Sequence, residues 1–193
     1  SIVAIRVAGG ALALWLWIAF RGLPVPRGTR WLAACAGMGM FNNILPFTLI
    51  VWGQQQIPAG LAGILNASTA VFGVLVAAAV FADERLTLPR LVGVVLGLAG
   101  VVVAIGPAAL AGFDLRSAAQ LACLGAALSY AVSGAFGRIM LQGVRPEVSA
   151  AGMLTAASLV LVPAALLVDG LPAALPDVAT LAALAYLALV ASA

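Results

Sequence analysis

The sequence predicts an all-α fold, a polytopic bundle of transmembrane helices. Of the 193 residues, 65% are hydrophobic and only 8% are charged. A soluble domain carries about 25% charged residues, so this chain could not cover its surface in water. The apolar residues also form runs long enough to cross a hydrocarbon core of about 30 Å, separated by short loops.

The run at residues 60–82 is the clearest span. As a helix it is about 34 Å long at 1.5 Å per residue, and it ends at the charged turn 83–89. Its polar side chains all lie in its first half. The same reasoning along the chain predicts seven spans, at residues 1–20, 31–52, 60–82, 90–106, 117–141, 146–168 and 178–193.

Local signals refine these spans. Thr87 can cap the fourth helix, and Pro89 suits its first turn because an N–H there has no helical partner. Pro46 lies inside the second span, where it removes the α-helical hydrogen bond to the carbonyl of Asn42 and predicts a kink. Both chain ends fall within apolar runs without a signal peptide, so we expect a chain that is cut at both ends.

The arginines predict the orientation in the membrane. All nine basic residues are arginine, and seven of them lie in or beside the loops after the first, third and fifth spans, against one in the other loops. Cytoplasmic loops carry the excess of positive charge, so those three loops are predicted to be cytoplasmic. Because the arginines stand singly between apolar runs, nucleic acid is not a predicted partner.

The residue inventory excludes several kinds of site. The chain contains no histidine, which excludes a Ser-His-Asp triad, a histidine-ligated metal and a histidine proton relay. Cys35 and Cys123 both lie inside apolar runs, which favours buried filler over a disulfide or metal pair. We therefore predict no metal, no cofactor and no enzymatic activity, with a membrane-embedded enzyme as the less favoured alternative.

Polar side chains at bilayer depth are the candidates for function. Asn42 and Asn43 lie in the second span, Asn66 and Thr69 in the third, and Tyr130 flanks the small residues of the fifth. These side chains can face a water-accessible cavity, or they can form hydrogen bonds that join helices. We predict that all five contribute to substrate binding.

Two further residues are predicted to gate the outer side. Arg6 is the only charge well inside a span, where it costs about 2.5–3.5 kcal/mol at the membrane centre. Its alternative role is snorkelling to the outer interface. Gln54 lies in the uncharged loop after the second span.

Other residues are predicted to have structural roles. Glu84, at the cytoplasmic end of the third span, is expected to cap the next helix or to pair with Arg85 or Arg90. Gly93 and Gly97 have the four-residue spacing of helix-packing stripes.

A short internal repeat points to two related halves. The tripeptide Gly-Leu-Pro occurs at residues 22–24 and again at 170–172. The first copy is predicted inside and the second outside. Two halves of opposite orientation are a common transporter plan, with the substrate site near the midplane.

Several stretches, together with Arg6 and Glu84, carry a resemblance to a known family. They are residues 41–48, 53–54, 60–69, 83–87 and 93–101. Over residues 6–103 the chain resembles EamA-type transporters of the drug/metabolite transporter superfamily. Arg6 matches the arginine usual in that family's second helix, and Glu84 matches its acidic residue after the fourth. Ala70 stands where the family usually has a proline, so the resemblance gives no support for a kink in the third span.

The resemblance implies ten helices in two inverted five-helix repeats. On that plan residues 1–106 form helices two to five of the first repeat, and residues 117–193 begin the second repeat as helices six to eight. It also implies a multi-pass protein of the bacterial inner (plasma) membrane, which exports small-molecule metabolites or drugs through a central cavity by alternating access. A non-transporting structural or assembly subunit is the alternative. Homo-oligomerisation is left open, and the lipid bilayer is the surrounding partner.

Overall fold

The fold was established from a computed structural model, which describes residues 2–84, 86–114 and 116–169. Every element in this part of the chain is a helix. In chain order they are α1 (Ile2–Arg21), α2 (Thr29–Gly39), a π-helical turn (Met40–Ile44), α3 (Leu45–Gly53), α4 (Ala59–Ala67), α5 (Thr69–Val80), α6 (Leu88–Ile105), a 3-10 helix (Pro107–Gly112), α7 (Ala118–Met140) and α8 (Pro146–Asp169).

Six segments of the described chain are long and apolar enough to cross a membrane. They are Val3–Arg21, Thr29–Gly53, Ala59–Val80, Leu88–Ile105, Ala118–Met140 and Pro146–Val168. Their ends agree with the predicted spans to within two residues. The all-α, multi-span class is therefore confirmed, whereas the predicted seventh span at 178–193 lies outside the described residues.

The chain divides into two compact units, and the first comprises Ser1–Ile44 with Ile139–Ala193. Within it α8 packs along both α1 and α2 and contacts the π-helical turn. Glycines permit the close approach of α8 to α2. A Cβ on Gly39 would lie 3.0 Å from the carbonyl oxygen of Met153, and a Cβ on Gly152 would lie 2.9 Å from the Trp31 ring and against the Cys35 sulfur.

The second unit is Leu45–Arg138. Here α6 packs on α4 and α5, and the 3-10 helix packs on α4 and α6. A buried cluster joins α4 to α7 through Leu61, Ala62, Leu65 and Cys123. At the end of α3, a Cβ on Gly53 would lie 2.8 Å from the Cys123 sulfur, so this glycine also marks a close helix contact.

The segment predicted as a loop at 107–116 contains the 3-10 helix, and one side chain holds it. Gln120 is 2% exposed. Its Nε2 donates to the carbonyl oxygen of Gly112 at 2.6 Å, and its Oε1 accepts from the backbone N–H of Asp114 at 2.9 Å. Both ends of a buried amide are therefore paired, and the loop is fixed to the first turn of α7.

The irregularity predicted at Pro46 takes the form of a π-helical turn rather than a simple kink. In π-helical geometry hydrogen bonds run from residue i to residue i+5. The turn ends at Ile44, two residues before Pro46, so the departure from α-helix lies on the N-terminal side of the proline.

The third span is interrupted at Ser68, although no kink was implied there. The N–H of Ser68 donates to the carbonyl of Leu65 at 3.2 Å, three residues back, which is a tighter turn than an α-helix makes. The hydroxyl of Thr69 donates to the carbonyl of Asn66 at 2.6 Å. A side-chain donor of this kind competes with the backbone for the helix carbonyl and favours the break.

Three smaller expectations have mixed outcomes. Thr87 occupies the N-cap of α6 and Pro89 its first turn, but the Thr87 side chain makes no capping hydrogen bond. Cys35 and Cys123 are buried free thiols, as predicted. The packing predicted for Gly93 and Gly97 stays a prediction, because a Cβ on either would meet no atom of the described residues within 4 Å.

We expect Gly152→Ala to destabilise the first unit by about 1–3 kcal/mol, since the added methyl overpacks the Trp31 and Cys35 contact. Gly100→Ala on α6 is the matched control, because its methyl enters open space. That variant should be neutral or stabilised by up to about 1 kcal/mol through helix propensity. Unfolding by SDS titration in mixed micelles measures both, and equal stability of the two variants would contradict the close α2–α8 contact.

Candidate functional site

In the second unit, α5 and α7 flank a groove of about 320 Å³. Two of the predicted substrate-binding residues, Thr69 and Tyr130, both line it. Its walls are otherwise small, with Gly73 on α5 and Gly134 on α7. A Cβ on either glycine would meet no atom within 4 Å, so the groove is open space rather than a loosely packed contact.

Asn66 lies one turn before Thr69 and carries an unpaired acceptor. Its backbone carbonyl accepts the Thr69 hydroxyl at 2.6 Å. Its side-chain Oδ1 is buried and has no hydrogen-bond partner among the described residues. A buried acceptor left unpaired costs roughly 1–3 kcal/mol, so it is a favourable position for a donor supplied by a ligand.

In the first unit, the π-helical turn presents Asn42 and Asn43. The Nδ2 of Asn42 donates to the sulfur of Met153 on α8 at 3.2 Å, and a thioether is a weak acceptor. Asn43 is only 3% exposed, and its Nδ2 is buried without a hydrogen-bond partner in the described chain. The turn therefore holds one weakly paired and one unpaired amide donor.

The structure brings four of the predicted residues together as two pairs. Asn42 and Asn43 share one turn of the first unit, and Thr69 and Tyr130 share one groove of the second. A cavity common to both pairs stays a prediction.

The two predicted gating residues lie on different elements. Arg6 is half-buried on α1. Gln54 is exposed in the turn after α3, where its backbone N–H donates to the carbonyl of Ile50 at 2.8 Å. Their gating role stays a prediction.

An ionic cluster joins three elements of the second unit. Glu84 Oε1 accepts from Arg138 of α7 at 2.5 Å, and its Oε2 accepts from Arg90 of α6 at 2.7 Å. Arg138 also donates to Asp83 Oδ2 at 3.2 Å. The predicted pairing of Glu84 with Arg90 is present, whereas Arg138 was not predicted as a partner, and Arg85 lies outside the described residues.

The cluster shifts the titration of Glu84. The hydrogen bond from Arg138 has the largest effect and lowers the pKa of the Glu84 carboxyl below its ordinary value of 4.5. Loss of hydration opposes this shift, and the hydrogen bond from Arg90 lowers the pKa further. The carboxylate is thus held in its charged form.

The first unit contains a larger, apolar cavity that sequence reasoning missed. It measures about 540 Å³ and lies between α1, α2 and α8, with Trp15, Trp31 and Arg27 in its lining. The indole N–H of Trp15 donates to the hydroxyl of Thr155 at 2.8 Å. No local pattern signals a pair that is 140 residues apart in the chain.

These helices define a multi-pass membrane protein, and comparison with known proteins gives its family. The chain belongs to the EamA-like transporter family, whose model matches residues 1–106. Over 101 residues it is 34% identical to a protein of Streptantibioticus cattleyicolor described as "Probable terminal-alkyne amino-acid exporter". That match covers 52% of this chain and 30% of the relative, so the chain spans well under half of it. No solved structure matches significantly.

We expect the stabilising effect of Glu84 to depend on pH. Because its pKa in the folded protein is lowered, its contribution is fully present above pH 4.5 and is lost as the pH falls below that value. The thermal midpoint of the parent protein in detergent should exceed that of Glu84→Gln at pH 7, and the difference should shrink below pH 4.5. A difference that stays constant down to pH 3 would contradict the paired carboxylate.

Proposed function

We propose that this protein is a secondary transporter that exports small polar metabolites, amino acids among them, by alternating access. Family membership supports transport. The observation that carries the proposal is the pair of unsatisfied amide groups at bilayer depth, the Nδ2 of Asn43 and the Oδ1 of Asn66. A purely structural role would be expected to pair them, since lipid offers no substitute for the missing partner.

The chemistry of these groups suggests the substrate class. The Nδ2 of Asn43 is a donor that suits a carboxylate, and the Oδ1 of Asn66 is an acceptor that suits an ammonium group. Carboxylate and ammonium groups both occur in amino acids and in other small polar metabolites. The relative from Streptantibioticus cattleyicolor, described as a probable terminal-alkyne amino-acid exporter, supports the same class.

The architecture that goes with this function is also a proposal. Residues 1–106 would supply helices two to five and residues 117–193 helices six to eight of a ten-helix, two-repeat transporter in the inner membrane. The family model ends at residue 106, next to the proposed boundary between the repeats. Alternating access would then expose the amides to each side of the membrane in turn.

We expect the combined variant Asn42→Ala, Asn43→Ala and Asn66→Ala to lose about tenfold or more of the amino-acid flux. Each lost hydrogen bond to substrate is worth roughly 0.5–1.5 kcal/mol or more, and 1.4 kcal/mol is tenfold. Radiolabelled amino acids in proteoliposomes holding the complete protein measure this flux. The control is Ser158→Ala, whose hydroxyl donates within its own helix to Leu154 at 2.7 Å. Unchanged flux in the triple variant would rule out this site.

A second prediction concerns the groove between α5 and α7. Gly134→Leu should fill part of its volume of about 320 Å³, since a Cβ at this position meets no atom within 4 Å, and should reduce flux about tenfold. Gly100→Leu on α6 adds the same side chain in open space outside the groove and should leave flux near the parent level. The proteoliposome assay applies again, with protein content matched. Equal flux in the two variants would show that the groove is not part of the transport path.

A further inference from the structure

The groove between α5 and α7 ends beside the turn that links α5 to α6. Phe81 and Arg138 border it there, whereas Thr69 and Tyr130 line its other end. From Tyr130 to Arg138 is eight helical residues, about 12 Å along α7. The guanidinium of Arg138 lies over the Phe81 ring, 4.2 Å from its centroid, which is close enough for a cation–π attraction.

Arg138 is the ionic link from α7 to this turn among the described residues. Its two terminal nitrogens donate to different carboxylates, Nη1 to Glu84 and Nη2 to Asp83. The guanidinium fork suits such double pairing, which a lysine ammonium would not reproduce. One side chain thus holds the groove end of α7 against the α5–α6 turn.

Glu84 does not depend on Arg138 alone. Its second oxygen is bound by Arg90 at 2.7 Å, from the first turn of α6. If Arg138 swings away, Glu84 keeps a charged partner and no buried charge is stranded. The ion pairs of Arg138 can therefore break at small cost, because their side chains also reach water: Arg138 is 46% exposed, Asp83 73% and Glu84 25%.

We propose that Arg138 is a gate at the cytoplasmic end of this groove. With its fork on Asp83 and Glu84 and its face on Phe81, the gate is closed. When Arg138 leaves, Glu84 stays paired with Arg90 and the groove opens toward the side that the arginine-rich loops mark as cytoplasmic. This inference rests on the proposed function, since it assigns the gate to the transport path.

The test uses a reporter cysteine in the groove wall. Gly134→Cys, in a Cys35→Ala and Cys123→Ala background, places a thiol in open space one turn before Arg138. A membrane-impermeant maleimide is added to inside-out vesicles containing the complete protein, and the labelling rate is measured. We expect Arg138→Gln to raise that rate about two- to thirtyfold, the range for loss of two exposed ion pairs.

The matched control is Arg90→Gln. It removes the other arginine from Glu84 but leaves Arg138 over the groove, so labelling should stay at the parent rate. Equal rates in the two variants would mean that the cluster only stabilises the fold, and a reporter that never labels would mean that the groove is not a water path. Either result overturns the gate.

A second pair of variants keeps the test valid if Arg138→Gln does not fold. Thermal unfolding identifies a misfolded Arg138→Gln, and Arg138→Lys against Arg90→Lys then gives the same comparison, with a smaller rise expected because a lysine holds only one carboxylate. The labelling readout needs no transport. Labelling in the expected order without amino-acid flux supports the gate and contradicts the proposed function, whereas flux without a labelling difference contradicts the gate alone.

Discussion

Within the hydrocarbon layer no water is available to backbone N–H and C=O groups, so each must find its partner inside the protein. This constraint accounts for the helical character of every described span. Two local departures from regular helix lie beside residues that disturb backbone pairing. The π-helical turn at Met40–Ile44 precedes Pro46, which has no N–H to donate, and the break at Ser68 comes with a Thr69 hydroxyl bonded to a helix carbonyl.

The same constraint applies to polar side chains, which also need hydrogen-bond partners when they are buried in the hydrocarbon layer. Gln120 is buried and both ends of its amide are paired, so it is fully explained as a clamp on the 3-10 helix. The Nδ2 of Asn43 and the Oδ1 of Asn66 are buried without partners in the described chain. In a medium that cannot satisfy them, such groups are expensive unless something else binds there. For that reason our proposal assigns substrate binding to Asn43 and Asn66 and a structural role to Gln120.

The sequence predicted what depends on local composition and little of what depends on distant contacts. Span ends were within two residues because apolar length is set by bilayer thickness. The bond between Glu84 and Arg90 could be predicted because the two residues are only six positions apart in the sequence. No local sequence pattern indicates the bond between Glu84 and Arg138, which are 54 residues apart. The same is true of Trp15 and Thr155, which are 140 residues apart. For the same reason Asn42 and Asn66 could be selected as candidates, but the sulfur beside Asn42 and the groove beyond Asn66 could not.

The π-helical turn affects how the second span tolerates the loss of a residue. In an α-helix, the loss or gain of one residue rotates everything beyond it by about 100° and turns the packed face away from its neighbours. A π-helical turn already contains one residue more than the α-helical turn it replaces. Deleting a single residue between Met40 and Ile44 would therefore restore regular α-helix while keeping both flanking helices on their own faces. Within the second span, this is where a one-residue deletion would be absorbed with the least disturbance.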